Sequence, residues 1–164
     1  SSKLAYTNDL AVAAQNSQLI LLVSPSQVMR HVLKDLKAYI TEDCLLVSAA
    51  KGIENGTLLT MSEVLQEVLG EQVAKRSAFL SGPSFAREVA IEQPTAVTVA
   101  ADNPEIAHRV QEIFSTDYFR VYTNQDVVGV EIDGAMKNVI ALAAGVPIAL
   151  GYVDYSRKRI GNDG

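Results

Sequence analysis

Apolar residues along the chain fall into two alternating patterns, short continuous runs and longer stretches at helical spacing. Residues 19–23 (LILLV) form a continuous run, as in a strand buried on both faces. After SPS, Met29, Val32, Leu33, Leu36 and Ile40 recur at the spacing of one helix face. A second apolar run, 44–47 (CLLV), leads through SAAKG to a helix carrying Met61, Val64, Leu65 and Val68. Thr60, with Glu63 three residues later, predicts a capping box at the start of that helix.

The alternation then repeats. Residues 78–80 predict a strand, SGPSF a loop, and a short helix runs through Glu88 and Val89. Residues 96–100 (AVTVA) predict another strand. Asn103-Pro104 opens a helix with Pro at its first position and Ile106, Val110, Ile113 and Phe114 on one face. Residues 118–122 (YFRVY) predict a fifth strand. Strands separated by helices of this length indicate βαβ units and a mostly parallel sheet. After the Asp126 cap the strand signal stops, and a stretch rich in Ala and Gly predicts an all-helical segment. A boundary is therefore expected near residues 123–126.

Composition narrows the function classes. Of 164 residues, 14 are Lys or Arg and 19 are Asp or Glu, a formal charge of −5 with no long basic run. Nucleic-acid binding is disfavoured on that balance. The lone Cys44 cannot make an internal disulfide, and with only His31 and His108 beside it the sequence has no zinc-ligand spacing. No metal site is expected. Cys44 opens an apolar run and is expected in the core, whereas both histidines are expected in solvent. The first residues lack the basic-then-apolar pattern of a secretion signal. The apolar stretch 139–152 is shorter than the roughly 20 residues of a membrane span and holds Pro147. A soluble, cytoplasmic protein is the expectation.

In open parallel sheets ligands bind beyond the carboxyl ends of the strands. Three such ends carry candidate chemistry: Ser24-Pro25-Ser26, Ala50-Lys51-Gly52 and Ser81-Gly82-Pro83-Ser84. Each also reads as an ordinary turn. Lys51 is either a surface lysine or a cation over the crevice. Gly82 admits close approach to the backbone. Ser84 either caps the next helix or marks a helix start that attracts an anion. Lys137 stands among Val, Ile, Ala and Gly with Asn138 beside it. Burial would lower its pKa toward what a general acid/base needs; equally, Asp133 one turn earlier could make an ordinary ion pair with it. No G-x-S-x-G, P-loop or G-x-G-x-x-G is present.

Taken together, SGPSFAREVA, PTAVTVA and YFRVYTNQDVVGVEIDGAMKNVIALAAG closely resemble the bacterial NAD(P)-dependent glycerol-3-phosphate dehydrogenases. TNDLAVAAQNSQLILLVSPSQVMRHVL resembles the stretch through the family's VPS strand end, and SAAKGIENGT resembles its T-K-G-I-E turn. The resemblance implies a Rossmann-like domain over residues 1–125, its glycine-rich first βαβ unit lying upstream of residue 1. Residues 126–164 would begin a helical substrate domain. It also implies interconversion of dihydroxyacetone phosphate and sn-glycerol 3-phosphate by hydride transfer with NAD or NADP, supplying glycerophospholipid synthesis. By the same resemblance Lys137 matches the catalytic lysine, and Lys51, Gly82, Ser84 and Asn138 match substrate-binding positions. Lys51, Ala86 and Ser24 match cofactor contacts, and Ser156-Arg157 is similar to a later S-R-N motif whose Arg binds cofactor. A phosphorylated small-molecule substrate is implied, and a homodimer is compatible with the resemblance. The sequence departs from the family at Asp133, where a small residue is usual, and at 151–155 (GYVDY), where the family has G-Y-G-D-N. Another β-hydroxyacid dehydrogenase-type enzyme and a non-catalytic fragment are the competing readings.

Overall fold

The computed structural model describes residues 4–136 and Val139. Among them are five strands, β1 (Leu19–Leu22), β2 (Leu45–Ser48), β3 (Ser77–Ser81), β4 (Thr95–Ala100) and β5 (Phe119–Asn124). The helices are α1 (Leu10–Ala14), α2 (Ser26–Leu36), α3 (Met61–Leu69), α4 (Glu71–Ala74), α5 (Ala86–Ala90) and α6 (Pro104–Phe114), followed by α7 over 127–136. The strands form one sheet in the order β1-β2-β3-β4-β5. The sheet is Rossmann-like, with helices on both faces.

Burial explains the order. Every residue of β2 and β3 is buried, as the apolar runs predict for central strands. β1 and β5 lie at the edges and leave part of their residues in solvent. Leu46, Phe79 and Ala100 point to one face, where they pack with Met29 and Leu33 of α2, Val64 and Leu65 of α3, and Val127 and Val130 of α7. Leu45, Val47, Ala78, Leu80 and Val121 point to the other face, against Ala107 and Val110 of α6. Cys44 is buried as expected, and burial pushes its thiol above the ordinary value.

The caps follow the sequence closely. Glu63 accepts from the Thr60 N–H at 2.8 Å in a capping box, and the Asn103 side chain accepts from the Glu105 N–H at 3.0 Å. The short α1, capped by Asp9, has no counterpart in the expected elements. None of the described helices is long and apolar enough to cross a membrane.

One connection departs from the expected βαβ pattern. β1–β2, β2–β3 and β4–β5 are parallel, but β3 and β4 are antiparallel. A parallel connection needs a crossover that returns the chain to the opposite end of the sheet. α5, with 5 residues, spans only about 7.5 Å, whereas β4 is about 20 Å long. The chain therefore turns back beside β3, and residues 82–94 stay at the carboxyl end of β1–β3. β5 in turn finishes at the far end of the sheet, so α7 runs back along one face toward that crevice.

Candidate functional site

Three chain segments meet beyond the ends of β2 and β3. The first is the loop after β2. Its Lys51 is half-buried and donates from Nζ to the Gly82 carbonyl at 2.7 Å. The loop is tied to α2 by side chains from successive turns. Gln27 donates from Nε2 to the Ile53 carbonyl at 2.8 Å and accepts from the Asn55 N–H at 2.9 Å. One turn on, Arg30 donates from Nε to Glu54 Oε1 at 2.9 Å and from Nη2 to Oε2 at 2.8 Å. Thr57 donates to the same carboxylate at 2.6 Å, and Glu67 of α3 takes Arg30 Nη2 at 2.6 Å. The Arg30 guanidinium, then the Thr57 hydroxyl, hold the Glu54 carboxyl down at about 2, and Glu54 with Glu67 raises the guanidinium pKa in turn.

The second segment is the turn after β3. Gly82 has φ +148°, and a Cβ there would stand 2.9 Å from Val97 Cα. Only a residue without a side chain brings this turn so close to β4. Ser84 is half-buried and its N–H donates to the Gly82 carbonyl at 3.0 Å. It does not cap the following helix. Phe85 occupies the N-cap of α5 without a side-chain bond, and Ala86 is the first helical residue, exposed to solvent. The expectation of a serine cap is corrected by one position, because residue 84 is taken up in the turn on Gly82.

The third segment is α7. Asp126 accepts from the Gly129 N–H at 2.8 Å, the cap expected from the sequence. Val127, Val130, Glu131 and Gly134 follow at helical spacing along the face turned to the sheet. A Cβ on Gly134 would lie 2.5 Å from Ser81 Oγ and 4.0 Å from Lys51 Cγ. The missing side chain thus lets α7 reach β3 beside Lys51. Glu131 bends the other way, to the start of α3, where the Ser62 N–H and hydroxyl donate to it at 3.0 and 2.5 Å. Burial pushes its carboxyl above the ordinary value, opposed by those bonds.

Between α7 and strands β4 and β5 lies a cavity of about 450 Å³, bordered by Gly82, Val97, Tyr122, Asp126, Gly129 and Asp133. A much smaller one, about 10 Å³, lies beside Lys51, Ser81, Glu131 and Gly134. The buried hydroxyls of Ser48 and Ser81 line it and have no hydrogen-bond partner among the described residues.

The model for the NAD-dependent glycerol-3-phosphate dehydrogenase N-terminus matches residues 1–107, and that for the C-terminus of the same enzymes matches residues 126–163. The chain belongs to the NAD-dependent glycerol-3-phosphate dehydrogenase family. It is 58% identical over 150 residues to glycerol-3-phosphate dehydrogenase [NAD(P)+] of Syntrophotalea carbinolica, covering 92% of this chain and 45% of that protein. To the enzyme of the same name from Citrifermentans bemidjiense it is 53% identical, over 98% of this chain and 48% of the relative. The crystal structure of glycerol-3-phosphate dehydrogenase from Coxiella burnetii matches with TM-score 0.77 and 33% identity, over 92% of this chain and 45% of that one. The chain spans about half the length of the curated relatives it matches.

Of the family positions expected from the sequence, Lys51 and Gly82 are in direct contact, and Ser84 is one turn of backbone away. Ala86 opens α5 on the same loop and is exposed, lining neither cavity. Ser24, half-buried at the end of β1, instead borders a separate cavity of about 330 Å³ lined by Leu10, Leu22 and Val32. Lys137, Asn138 and Arg157 lie outside the described residues, so the Asp133–Lys137 pair is not described either; Asp133 itself is exposed. His31 is exposed beside Asp35, and His108 is exposed on α6, as expected.

Three features escaped the sequence reading. Arg30 and Glu54 are 24 positions apart, and no local spacing links them. Ser81 reads in the sequence as part of the SGPSF loop, whereas it is the last residue of β3. Glu131 did leave a signal, since it is a carboxylate on the same stripe as Val127 and Val130.

Proposed function

We propose that the protein containing this chain interconverts dihydroxyacetone phosphate and sn-glycerol 3-phosphate with NAD or NADP. The observation that carries this reading is the meeting of Lys51, Gly82 and the Gly134 turn of α7 at one crevice. Lys137, three positions after Gly134 in the sequence, is assigned as the general acid/base. The bound nicotinamide would supply or accept the hydride at the substrate's central carbon. Lys137 would stabilise the negative charge that gathers on the carbonyl oxygen and protonate it, and in the reverse direction take the hydroxyl proton. Lys51 adds positive charge for an anionic substrate, already oriented by its bond to the Gly82 carbonyl. Gly82, Ser84 and Asn138 are assigned to substrate. Ala86, Ser24 and Arg157 are assigned to the cofactor.

The residues present fit one end of such a cofactor. Ala86 is small and exposed at the start of α5, and Ser24 stands at the end of β1. No residue of this chain is assigned to the pyrophosphate, because the sequence has no G-x-G-x-x-G. We place the division between cofactor and substrate domains near residue 125. The reaction would supply glycerol 3-phosphate to glycerophospholipid synthesis.

The test is Lys137→Ala in the protein at its full natural length, assayed with dihydroxyacetone phosphate and NADH or NADPH. Turnover should fall by about 10²-fold or more, the range for losing a positioned acid/base. Near-normal turnover would refute the assignment. Turnover of other 2- or 3-hydroxy acids in preference to glycerol 3-phosphate would move the chain to another β-hydroxyacid dehydrogenase activity.

A further inference from the structure

Glu131 is a half-buried carboxylate where the pattern of α7 calls for an apolar residue. It shares the sheet-facing stripe with Val127, Val130 and Gly134. Burying a charge is unfavourable unless hydrogen bonds compensate, so a valine or leucine would serve packing better. The compensation comes first from Ser62, 69 positions away, whose N–H and hydroxyl both donate to the carboxylate, with smaller contributions from the Thr60 hydroxyl and the Met61 N–H beside it. Ser62 is the second residue of α3, where N–H groups have no partner within the helix and a negative charge is favoured. α7 is thereby joined end-on to a helix of the preceding domain.

Apolar contacts alone would leave α7 free to roll or slide by small amounts, because they are not directional. The two bonds on Glu131 are directional. A shift of α7 by one residue turns Glu131 by about 100° and moves it about 1.5 Å along the axis, breaking both. Gly134 sits less than one turn further along, against Ser81 and Lys51. The rotation set at Glu131 is therefore the rotation delivered at the crevice. We propose that Glu131 is a positioning residue, whose grip on Ser62 fixes the register of α7 and so the seat of Gly134 against Ser81 and Lys51 at the crevice. This rests on the reaction proposed above.

The experiment is a double-mutant cycle in the full-length enzyme, with Glu131→Ala, Ser62→Ala, the pair together, and Glu131→Gln. Glu131→Ala should lower kcat by about ten- to hundredfold, the scale of a 1 Å misplacement from the chemistry. KM for the nicotinamide cofactor should stay within about twofold. Ser62→Ala should lower kcat less, and the double variant should be no worse than Glu131→Ala alone, the mark of a shared interaction. Glu131→Gln keeps an acceptor for the Ser62 N–H and should restore part of kcat. Should Glu131→Ala fail to fold, Ser62→Ala and Glu131→Gln carry the same comparison. Unchanged kcat, additive effects in the cycle, or a loss confined to KM would each overturn the positioning role. An active wild type with those results refutes Glu131 alone, whereas a wild type without turnover refutes the reaction as well.

Discussion

The loops after β2 and β3 border one crevice but are held there by different means. The β2 loop is held by side chains. Its Glu54 is buried, with only 7% of its surface exposed, and is gripped by Arg30 and Thr57, while Gln27 secures the backbone on either side. The β3 loop has almost none of this. α5 buries no residue, and Phe85 and Ile91 stand 60% and 62% exposed. That loop is braced by the approach of Gly82 to the β4 backbone and by the bond from Lys51 to its carbonyl. A network of charged and polar side chains fixes the first loop, and a missing side chain with a single bond from Lys51 braces the second. The tethered loop thus carries the cation, while the second loop presents backbone and small side chains to the crevice.

Substitutions that attack each device separately test this difference. Gly82→Ala should have the largest effect, lowering the unfolding free energy by about 2–4 kcal/mol through backbone strain plus overpacking against Val97. Urea denaturation measures it, and a loss below about 0.5 kcal/mol, the size of an ordinary surface change, would show that the turn can relax. Glu54→Gln should be milder and should depend on pH. A carboxyl held down at about 2 when folded binds protons more weakly than in the unfolded chain. Its stabilisation is present above the ordinary carboxyl value and is lost as pH falls toward 2. The variant's urea midpoint should therefore fall less steeply than that of the wild type over this interval. Parallel curves would mean that Arg30 does not hold the loop. Arg87→Ala, on the exposed α5, should change stability by no more than about 0.5 kcal/mol. A larger loss would reveal a tether on the second loop.

The strands and long helices were legible because each rests on a local pattern. The runs around Leu21, Val47 and Val97 lie within observed strands, and the Thr60–Glu63 and Asn103-Pro104 signals mark observed helix starts. The reversal of β4 was not legible, because it depends on α5 being too short to cross the sheet, and helix length is the weakest part of a pattern reading. Lys51 and Gly82 were singled out by their place after strands, a rule of topology. Arg30–Glu54 and Glu131–Ser62 join residues 24 and 69 apart, and such pairs exist only once the chain has folded. Ser84 was misplaced by one position because cap signals for Ser and Phe-Ala neighbours compete within a single turn.

The grip of Glu131 on Ser62 also bears on the order of assembly. Closing a long loop carries an entropic penalty that local contacts do not. Strands β1 and β2 with α2 and α3 draw on nearby contacts and can form early. α7 reaches its partner across 69 positions that hold β3, α6 and β5, so that its closure costs more entropy than those local contacts. One side of the crevice thus depends on a closure of high entropic cost, whereas most of the sheet does not.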